Sequence, residues 1–270
     1  MTPPEIAALE ASATRHATPS GPGHMAWREW NQGGAETVVL FHGGFGSWMH
    51  FTRCIPALSS RFRVLAADLP GLGWSDDAPE PLTAESIAAV VAEGVRRLVP
   101  GEFRLSGFSF GGLVGGHVAA LLGSQVEKFV FIGPGGLGLP RGHHQPLLQW
   151  RKLTDEAEIR AIHHENLRRF MFHDASRIDP TAVWIQTENT RRARTKSRPI
   201  AATDTLARKL PDITAPMLGA WGDRDLTAWP FMDQRQALLA GLGIPYVEIP
   251  DCGHWAPYEK PEACVELIAA

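Results

Sequence analysis

A serine flanked by glycines is the first residue in this chain that is placed to do chemistry. Ser109 is the centre of a Gly-x-Ser-x-Gly pattern whose outer members are Gly107 and Gly111. An apolar run precedes the pattern and a run of small residues typical of a helix follows it, which predicts a strand, a sharp turn and a helix. The residue at the apex of such a turn is pushed toward positive φ, so its neighbours two positions away must be nearly bare. We therefore expect Ser109 to be presented as a nucleophile at the end of a strand.

A second glycine cluster offers backbone amides for the same chemistry. The uniformly apolar run Thr37–Phe41 is typical of a strand buried on both faces of a parallel sheet, and it leads directly into residues 42–46, His-Gly-Gly-Phe-Gly. Acyl transfer develops negative charge on a carbonyl oxygen, which fixed N–H groups stabilise. We assign one donor to the amide of Gly44, with either of its neighbours as an alternative, and the other to Phe110. His42 is interpreted as a residue that holds this loop.

Carboxylates and a histidine follow two further predicted strands. Asp223 and Asp225 come after the apolar run 215–221, and His254 comes after the run 244–249. Because parallel strands place all their carboxyl ends at one edge of a sheet, these side chains should lie near Ser109. Asp68 also follows a predicted strand, and we interpret it as a structural residue that binds loop amides.

The elements that position these residues alternate between strand and helix. This alternation predicts an α/β fold with a mostly parallel sheet flanked by helices and right-handed crossovers. A short helix is expected at about residues 5–15, ahead of the first strand. The alternation stops near residue 136, and residues 137–205 suggest several short helices without a strand. We therefore predict an α/β core in residues 1–136 and 206–270, with residues 137–205 inserted as a helical cap that shapes the substrate pocket.

The composition of the chain limits the kinds of molecule that it is expected to bind. The chain has 270 residues, 44% hydrophobic and 20% charged, with a net charge of −3, which favours neither nucleic acid nor an anionic membrane surface. Three cysteines are too few and too scattered for a disulfide framework, and no secretion signal or membrane-spanning run is evident, so a cytoplasmic location is expected. The pairs His143-His144 and His163-His164 point apart on a helix, so no metal is expected. A small-molecule substrate is the expected partner, and homo-oligomerisation stays open.

Taken in order, these motifs resemble the α/β-hydrolase superfamily over roughly residues 25–268. The resemblance implies that Ser109 is the nucleophile, His254 the general base and Asp225 the acid that orients it, with Asp223 as the second choice. It also implies that no cofactor is required. Serine at position 109 argues against the dehalogenase and epoxide hydrolase branches, which carry aspartate there.

For the substrate, the first expectation is a small to medium carboxylic ester or related acyl compound, cleaved through an acyl-serine intermediate. Phe45, Trp48 and Trp255 lie beside the catalytic motifs and are predicted to contact it. The basic run 191–198 is either a solvated face or the source of one inward arginine, for which Arg191 is our candidate.

Two alternatives stay open. The segment 251–255, the glycine loop and the helical cap are similar to hydrolases that cleave carbon–carbon bonds in ring-fission products of aromatic degradation. Those enzymes carry a tryptophan after the histidine, which Trp255 matches, and an arginine in the cap. A proline common in the glycine loop of that branch is absent here. The other alternative is a receptor that binds its ligand on the same scaffold without hydrolysing it.

Overall fold

An eight-stranded sheet forms the centre of the computed structural model, which describes residues 1–78, 80–143 and 145–270. The strand order is β1-β2-β4-β3-β5-β6-β7-β8; β2 pairs antiparallel with both of its neighbours, β1 and β4, and the remaining pairs, from β4 to β8, are parallel. The alternation of elements therefore predicted the α/β fold correctly. The strands are β1 Thr14–Ser20, β2 Gly23–Trp30, β3 Thr37–Phe41, β4 Arg63–Ala67, β5 Phe103–Phe108, β6 Val126–Ile132, β7 Met217–Gly222 and β8 Tyr246–Ile249.

Helices cover both faces of the sheet and form most of the inserted segment. They are α1 Pro4–Ala11, α2 Ile55–Ser59, α3 Ala84–Leu98, α4 Phe110–Leu122, α5 Glu156–Phe170, α6 Pro180–Arg192, α7 Ser197–Ala201, α8 Thr205–Lys209, α9 Met232–Gly241, α10 Ala256–Glu259 and α11 Pro261–Ala269. None of the helices in the described part of the chain is long and apolar enough to cross a bilayer.

The central strands are apolar on both sides because both faces of the sheet are covered. Val38 and Val39 are adjacent in β3 and fully buried, yet they belong to two different apolar clusters. Successive strand residues point to opposite faces, so an unbroken apolar run supplies both clusters at once. Helix α4 approaches the sheet closely, and a Cβ added at Gly115 would lie 2.9 Å from the ring of Phe129. Small residues in α4 thus fix the helix that begins just after Ser109.

The N-terminal segment differs from the expectation. The helix ends at Ala11, and residues 14–20 form β1, an edge strand that pairs with β2. Strand β1 was not predicted, because its residues are mostly polar and it contains Pro19. Proline is tolerated in an edge strand, where its missing N–H leaves no sheet neighbour unbonded.

The segment predicted as a cap contains α5, α6 and α7 and reaches the first residue of α8, with no strand among its described residues. Helices α5 and α6 pack against each other. Residues 137–155 precede them without helix or strand in the described positions. The division into core and cap remains a prediction.

Candidate active site

Ser109 lies at the turn between β5 and α4 in a strained conformation. Its φ is 53° and its ψ is −113°. A Cβ added at Gly107 would collide with the carbonyl of Gly111, and a Cβ at Gly111 would collide with the carbonyl groups of Phe41 and His42. Both glycines are therefore required for the backbone to pass through this turn. The cost of the positive φ, of order 1–3 kcal/mol, is borne by the packed strand and helix on either side.

Ser109, His254 and Asp225 form a continuous hydrogen-bonded chain. The Oγ atom of Ser109 lies 2.9 Å from His254 Nε2, and His254 Nδ1 lies 2.8 Å from Asp225 Oδ2. Because the carboxylate can only accept, Nδ1 carries the imidazole proton and Nε2 is free to accept the serine proton. His254 is 3% exposed and Asp225 is fully buried, whereas Ser109 is partly accessible. The arrangement can deprotonate a serine hydroxyl as it attacks.

The buried carboxylate of Asp225 is held in its charged form. Its second oxygen accepts hydrogen bonds from the backbone N–H and the hydroxyl of Thr227, at 2.8 and 2.7 Å. Burial raises the pKa of Asp225, but His254 and these hydrogen bonds outweigh burial and keep that pKa below its ordinary value. Asp223 instead accepts a hydrogen bond from the backbone of Cys252. Of the two candidate acids, Asp225 is the one that contacts His254. Thr227, which donates to the other oxygen of Asp225, was not predicted.

Backbone amides converge beside Ser109. Within the described residues, the N–H groups of Gly44, Phe45 and Phe110 donate to no protein acceptor. A Cβ added at Gly44 would lie 3.7 Å from the Cβ of Phe110, so the two predicted donors are neighbours. These amides are free to bind an oxygen that gains negative charge next to the serine.

Two buried side chains hold the loops around these amides. His42 Nδ1 donates to the carbonyl of Gly43 at 2.7 Å, and its Nε2 accepts from Leu69 N–H at 2.9 Å. Burial lowers the pKa of His42 to about 4, so the ring is neutral at neutral pH. Asp68 accepts from the backbone of Trp48 at 2.8 Å, and burial raises its pKa to about 6. Both side chains bind the backbone of their loops, in line with their structural interpretation.

A cavity of about 480 Å³ lies above Ser109, between the core loops and the inserted segment. Its wall includes Phe45, Phe108, Met171 and Gln186, and its described lining contains no Asp or Glu. Three arginines also line it, namely Arg141, Arg151 and Arg198. None of the three forms an ion pair with a residue that the structure describes. The cavity therefore carries an excess of positive charge.

Of the four residues predicted to contact the substrate, one lies in the cavity wall and three lie elsewhere. Phe45 lines the cavity, but Trp48, Trp255 and Arg191 do not, which corrects the expectation for those three. Trp48 is buried against Trp30, with ring centroids 5.5 Å apart.

Trp255 and Arg191 are engaged elsewhere. The Trp255 indole N–H donates to the carbonyl of His50 at 3.0 Å and its ring packs on Tyr258. Arg191 pairs with Glu156 at 2.6 Å on the outer surface. Proximity in sequence to a motif does not decide which face of a loop a side chain occupies.

Metal binding has no support among the described residues, where no three His, Cys, Asp or Glu side chains cluster. His163 lines the cavity and is buried, while its neighbour His164 is exposed, so this pair points apart as predicted. Of the other pair, His143 is exposed and His144 lies outside the described residues. The place of His163 in the cavity was not predicted, because the pair of histidines suggested only a metal ligand.

The chain is similar to known hydrolases over most of its length. Residues 38–267 match the model of the Alpha/beta hydrolase family. A 2-hydroxy-6-oxononadienedioate/2-hydroxy-6-oxononatrienedioate hydrolase from Cupriavidus pinatubonensis is 32% identical over 253 residues, covering 87% of this chain and 86% of the relative. A 2-hydroxy-6-oxo-6-phenylhexa-2,4-dienoate hydrolase from Burkholderia cepacia is 29% identical over 252 residues, covering 86% of this chain and 85% of the relative.

Solved structures share the fold. A meta-cleavage product hydrolase from Pseudomonas fluorescens superposes with a TM-score of 0.73 at 19% identity, covering 94% of this chain and 95% of its own. An enol-lactonase from Burkholderia xenovorans has a TM-score of 0.72 at 24% identity, covering 94% and 98%. At these identities the likeness establishes the architecture alone.

Proposed function

The chain belongs to the alpha/beta hydrolase family, and on that premise we propose that it hydrolyses a carbon–carbon bond in a 2-hydroxy-6-oxo-dienoate. The observation that carries this proposal is the similarity to hydrolases named for such substrates, which extends through the inserted segment as well as the core. Our first expectation, a carboxylic ester, becomes the competing hypothesis. The two reactions share an attack on a carbonyl carbon and differ in the leaving group.

The charge of the cavity supports a substrate of this class. A dienoate carries one carboxylate, or two in a dioate, and must bring that charge into a partly closed space. The arginines of the lining have no carboxylate partner among the described residues, and the described wall has no acid to repel the ligand. Guanidinium groups bind carboxylates through two parallel hydrogen bonds. A neutral ester would leave these groups without a ligand.

In the proposed mechanism, the first step makes carbon 5 able to leave. The proton of the 2-hydroxyl is lost and carbon 5 gains a proton, which converts the dienol into a 2,6-dioxo compound. The bond between carbons 5 and 6 can then break with its electron pair delocalised through carbons 4 and 3 onto the 2-oxo group. Without that change, cleavage would leave an unstabilised carbanion.

Hydrolysis follows at carbon 6. Ser109 attacks this carbonyl while His254 takes the serine proton, and the oxygen that becomes negative binds the amides of Gly44 and Phe110. Collapse breaks the bond between carbons 5 and 6, and His254 returns the proton to the departing dienolate. Water then hydrolyses the acyl-serine by the same route. Asp225 holds the imidazole in the required tautomer and stabilises its charged form. The net reaction consumes one water and yields a carboxylic acid and 2-hydroxypenta-2,4-dienoate.

The test compares two substrate classes on the same protein. We expect turnover of 2-hydroxy-6-oxo-6-phenylhexa-2,4-dienoate, measured as loss of its visible absorbance and release of benzoate, with kcat/KM at least about a hundredfold above that for a simple aryl ester. The reverse preference would favour the ester hypothesis. Saturable binding of the dienoate without release of benzoate would favour a receptor.

A matched pair of variants tests the nucleophile. Ser109→Ala should abolish labelling by an active-serine phosphonate and lower kcat by about four orders of magnitude or more. Ser106→Ala removes a hydroxyl from the same strand, where it is fully buried and has no hydrogen-bond partner among the described residues. It should therefore keep both labelling and turnover. Labelling that survives in the Ser109 variant would overturn the assignment.

A further inference from the structure

The hydroxyl of Ser197 lies against the glycine loop beside Ser109. Ser197 is the first residue of α7, is 2% exposed and lines the cavity. A Cβ added at Gly44 would lie 2.3 Å from the Oγ atom of Ser197, 3.1 Å from its Cβ and 3.7 Å from the Cβ of Phe110. No other atom outside Gly44 and its two chain neighbours is closer, and the φ of Gly44 is not in the left-handed region. The side chain of Ser197 is therefore what excludes a side chain at position 44.

Two hydrogen-bond donors at this contact are unpaired. Neither the hydroxyl of Ser197 nor the amide of Gly44 has a hydrogen-bond partner among the described residues, and the two do not bind each other. Buried donors without a protein partner bind water or a ligand. Two such donors side by side in the wall of a cavity therefore point to one acceptor that they share.

The distances allow a single oxygen atom to accept from both groups. A Cβ lies about 2.5 Å from the amide nitrogen of its own residue, so Ser197 Oγ is at most about 4.8 Å from the nitrogen of Gly44. Two donors that bind one oxygen at about 2.7 and 2.9 Å can be as much as about 5.6 Å apart. In the proposed mechanism, the oxygen that becomes negative already binds the amides of Gly44 and Phe110. This oxygen is therefore the acceptor that the Ser197 hydroxyl would share.

Contacts on either side hold Ser197 at this place. Just before it, the hydroxyl of Thr195 donates to the carbonyl of Pro70 at 2.8 Å. Just after it, the guanidinium of Arg198 lies 5.6 Å from the ring centroid of Phe45 in the glycine loop. The inserted segment is thus already docked on the loops of the core at this point. A donor fixed in advance is the kind that stabilises a developing charge most, because it need not reorganise during the reaction.

We propose that Ser197 is a catalytic residue whose hydroxyl donates a third hydrogen bond to the oxygen that becomes negative when Ser109 attacks. No proton is transferred, and the hydrogen bond strengthens as the charge on that oxygen grows. Such a bond stabilises the transition state more than the bound substrate, so it raises kcat and leaves KM nearly unchanged. The inference rests on the acyl-serine chemistry of the proposed function and deepens it, but it holds for a dienoate and for an ester alike.

Removal of the hydroxyl tests this role. Ser197→Ala should lower kcat about a hundredfold for the substrate that the wild type turns over, with KM changed less than about twofold. The rate constant for labelling of Ser109 by an active-serine phosphonate should fall as well, because a phosphoryl oxygen then occupies the same place. Thr203→Ala, which removes an exposed hydroxyl just beyond α7, is the matched control and should change neither rate. Unchanged kcat and labelling in the Ser197→Ala protein, or a raised KM with kcat unchanged, would overturn the proposal.

A double-mutant cycle tests the contact with Gly44. Gly44→Ala places a methyl group where the Ser197 hydroxyl lies, so it should also lower kcat about a hundredfold. In the Ser197→Ala background the nearest remaining atom is the Cβ at 3.1 Å, which a small shift relieves. The double variant should therefore be about as slow as either single variant, with a thermal midpoint close to that of the wild type. Losses in kcat that multiply would show that the two positions act independently and would overturn the shared acceptor.

The same measurements separate this inference from the proposed function. If the wild type cleaves an aryl ester but not the dienoate, the proposed substrate is wrong, and the effect of Ser197→Ala is measured on the ester. If the phosphonate does not label the wild type and neither substrate is cleaved, the acyl-serine chemistry is wrong and the role of Ser197 falls with it.

Discussion

Glu259 joins the inserted segment to the loop that carries His254. Its carboxylate is fully buried and accepts hydrogen bonds from the backbone N–H groups of Gly253 at 2.7 Å, Asp174 at 2.8 Å and His173 at 3.1 Å. No Lys or Arg in the described part of the chain forms an ion pair with it. Three main-chain donors therefore stabilise a buried negative charge and tie together two segments about 80 residues apart.

The substitution Glu259→Gln keeps the size of the side chain but replaces one of its two acceptor oxygens by an NH2 group, which can only donate hydrogen bonds. The amide oxygen can serve two of the three donors, while the NH2 group must face the third. One charge-assisted hydrogen bond is lost and one buried N–H loses its partner, which together cost about 3–4 kcal/mol before relaxation. Replacing a buried charge by a neutral group recovers part of this cost. We expect a net loss of about 2–3 kcal/mol in the free energy of unfolding.

Urea denaturation followed by tryptophan fluorescence measures this loss, and a thermal midpoint lower by roughly 5–10 °C should accompany it. Because Gly253 precedes His254, we also expect kcat to fall about tenfold with little change in KM, since small misplacements of a catalytic group slow the chemistry. Glu266→Gln is the control, as Glu266 is exposed on α11 and its side chain has no partner among the described residues. A Glu259→Gln protein as stable as this control would refute the reasoning.

Three further outcomes are expected. Asp225→Asn should lower kcat by about four orders of magnitude, because an amide favours the wrong imidazole tautomer; a loss below tenfold in a stopped assay would contradict the role of Asp225. Arg191→Gln should leave KM for dienoates unchanged in steady-state kinetics, because Arg191 binds Glu156 outside the cavity. A raised KM would indicate that Arg191 contacts the substrate. His42 and His163 titrate near 4 when folded, against 6.5 for an ordinary histidine. Between about pH 6.5 and 4 the unfolded chain therefore binds more protons than the folded chain, so the urea midpoint should fall as the pH is lowered through this range. The fall should be less steep in the His163→Phe protein, and equal slopes of midpoint against pH in the two proteins would contradict the depressed pKa of His163.

The backbone of the site could be predicted because it depends on local and topological rules. Gly107 and Gly111 are required by the steric limits of one turn, and those limits can be read from five residues. The convergence of Ser109, Asp225 and His254 follows from the common edge of parallel strands. Neither inference needs knowledge of which side chains pack together across the chain.

The cavity wall could not be predicted in the same way. Trp255 lies next to His254 in sequence, but its large ring is drawn into the core, where its N–H binds the carbonyl of His50. Arg191 and His163 were judged by type, since arginine suggests a carboxylate and paired histidines suggest a metal. The packing of α5 against α6 instead turns Arg191 outward and His163 inward. That choice depends on tertiary contacts of two amphipathic helices, which sequence spacing alone does not specify.

The cavity wall of the inserted segment and the hydrogen bonds that hold this segment to the His254 loop are separate parts of the structure. His163 and Arg151 line the cavity on the side of the inserted segment, whereas Glu259 binds that segment at Asp174 and the His254 loop at Gly253. Loss of the polar side chain of His163 from the cavity wall should therefore change KM more than kcat, and loss of the Glu259 hydrogen bonds should change kcat and stability more than KM. In the double variant His163→Phe/Glu259→Gln the two free-energy effects should add, because the affected side chains share no contact. Strong non-additivity in kcat/KM would show instead that substrate binding and the position of His254 are coupled through the inserted segment.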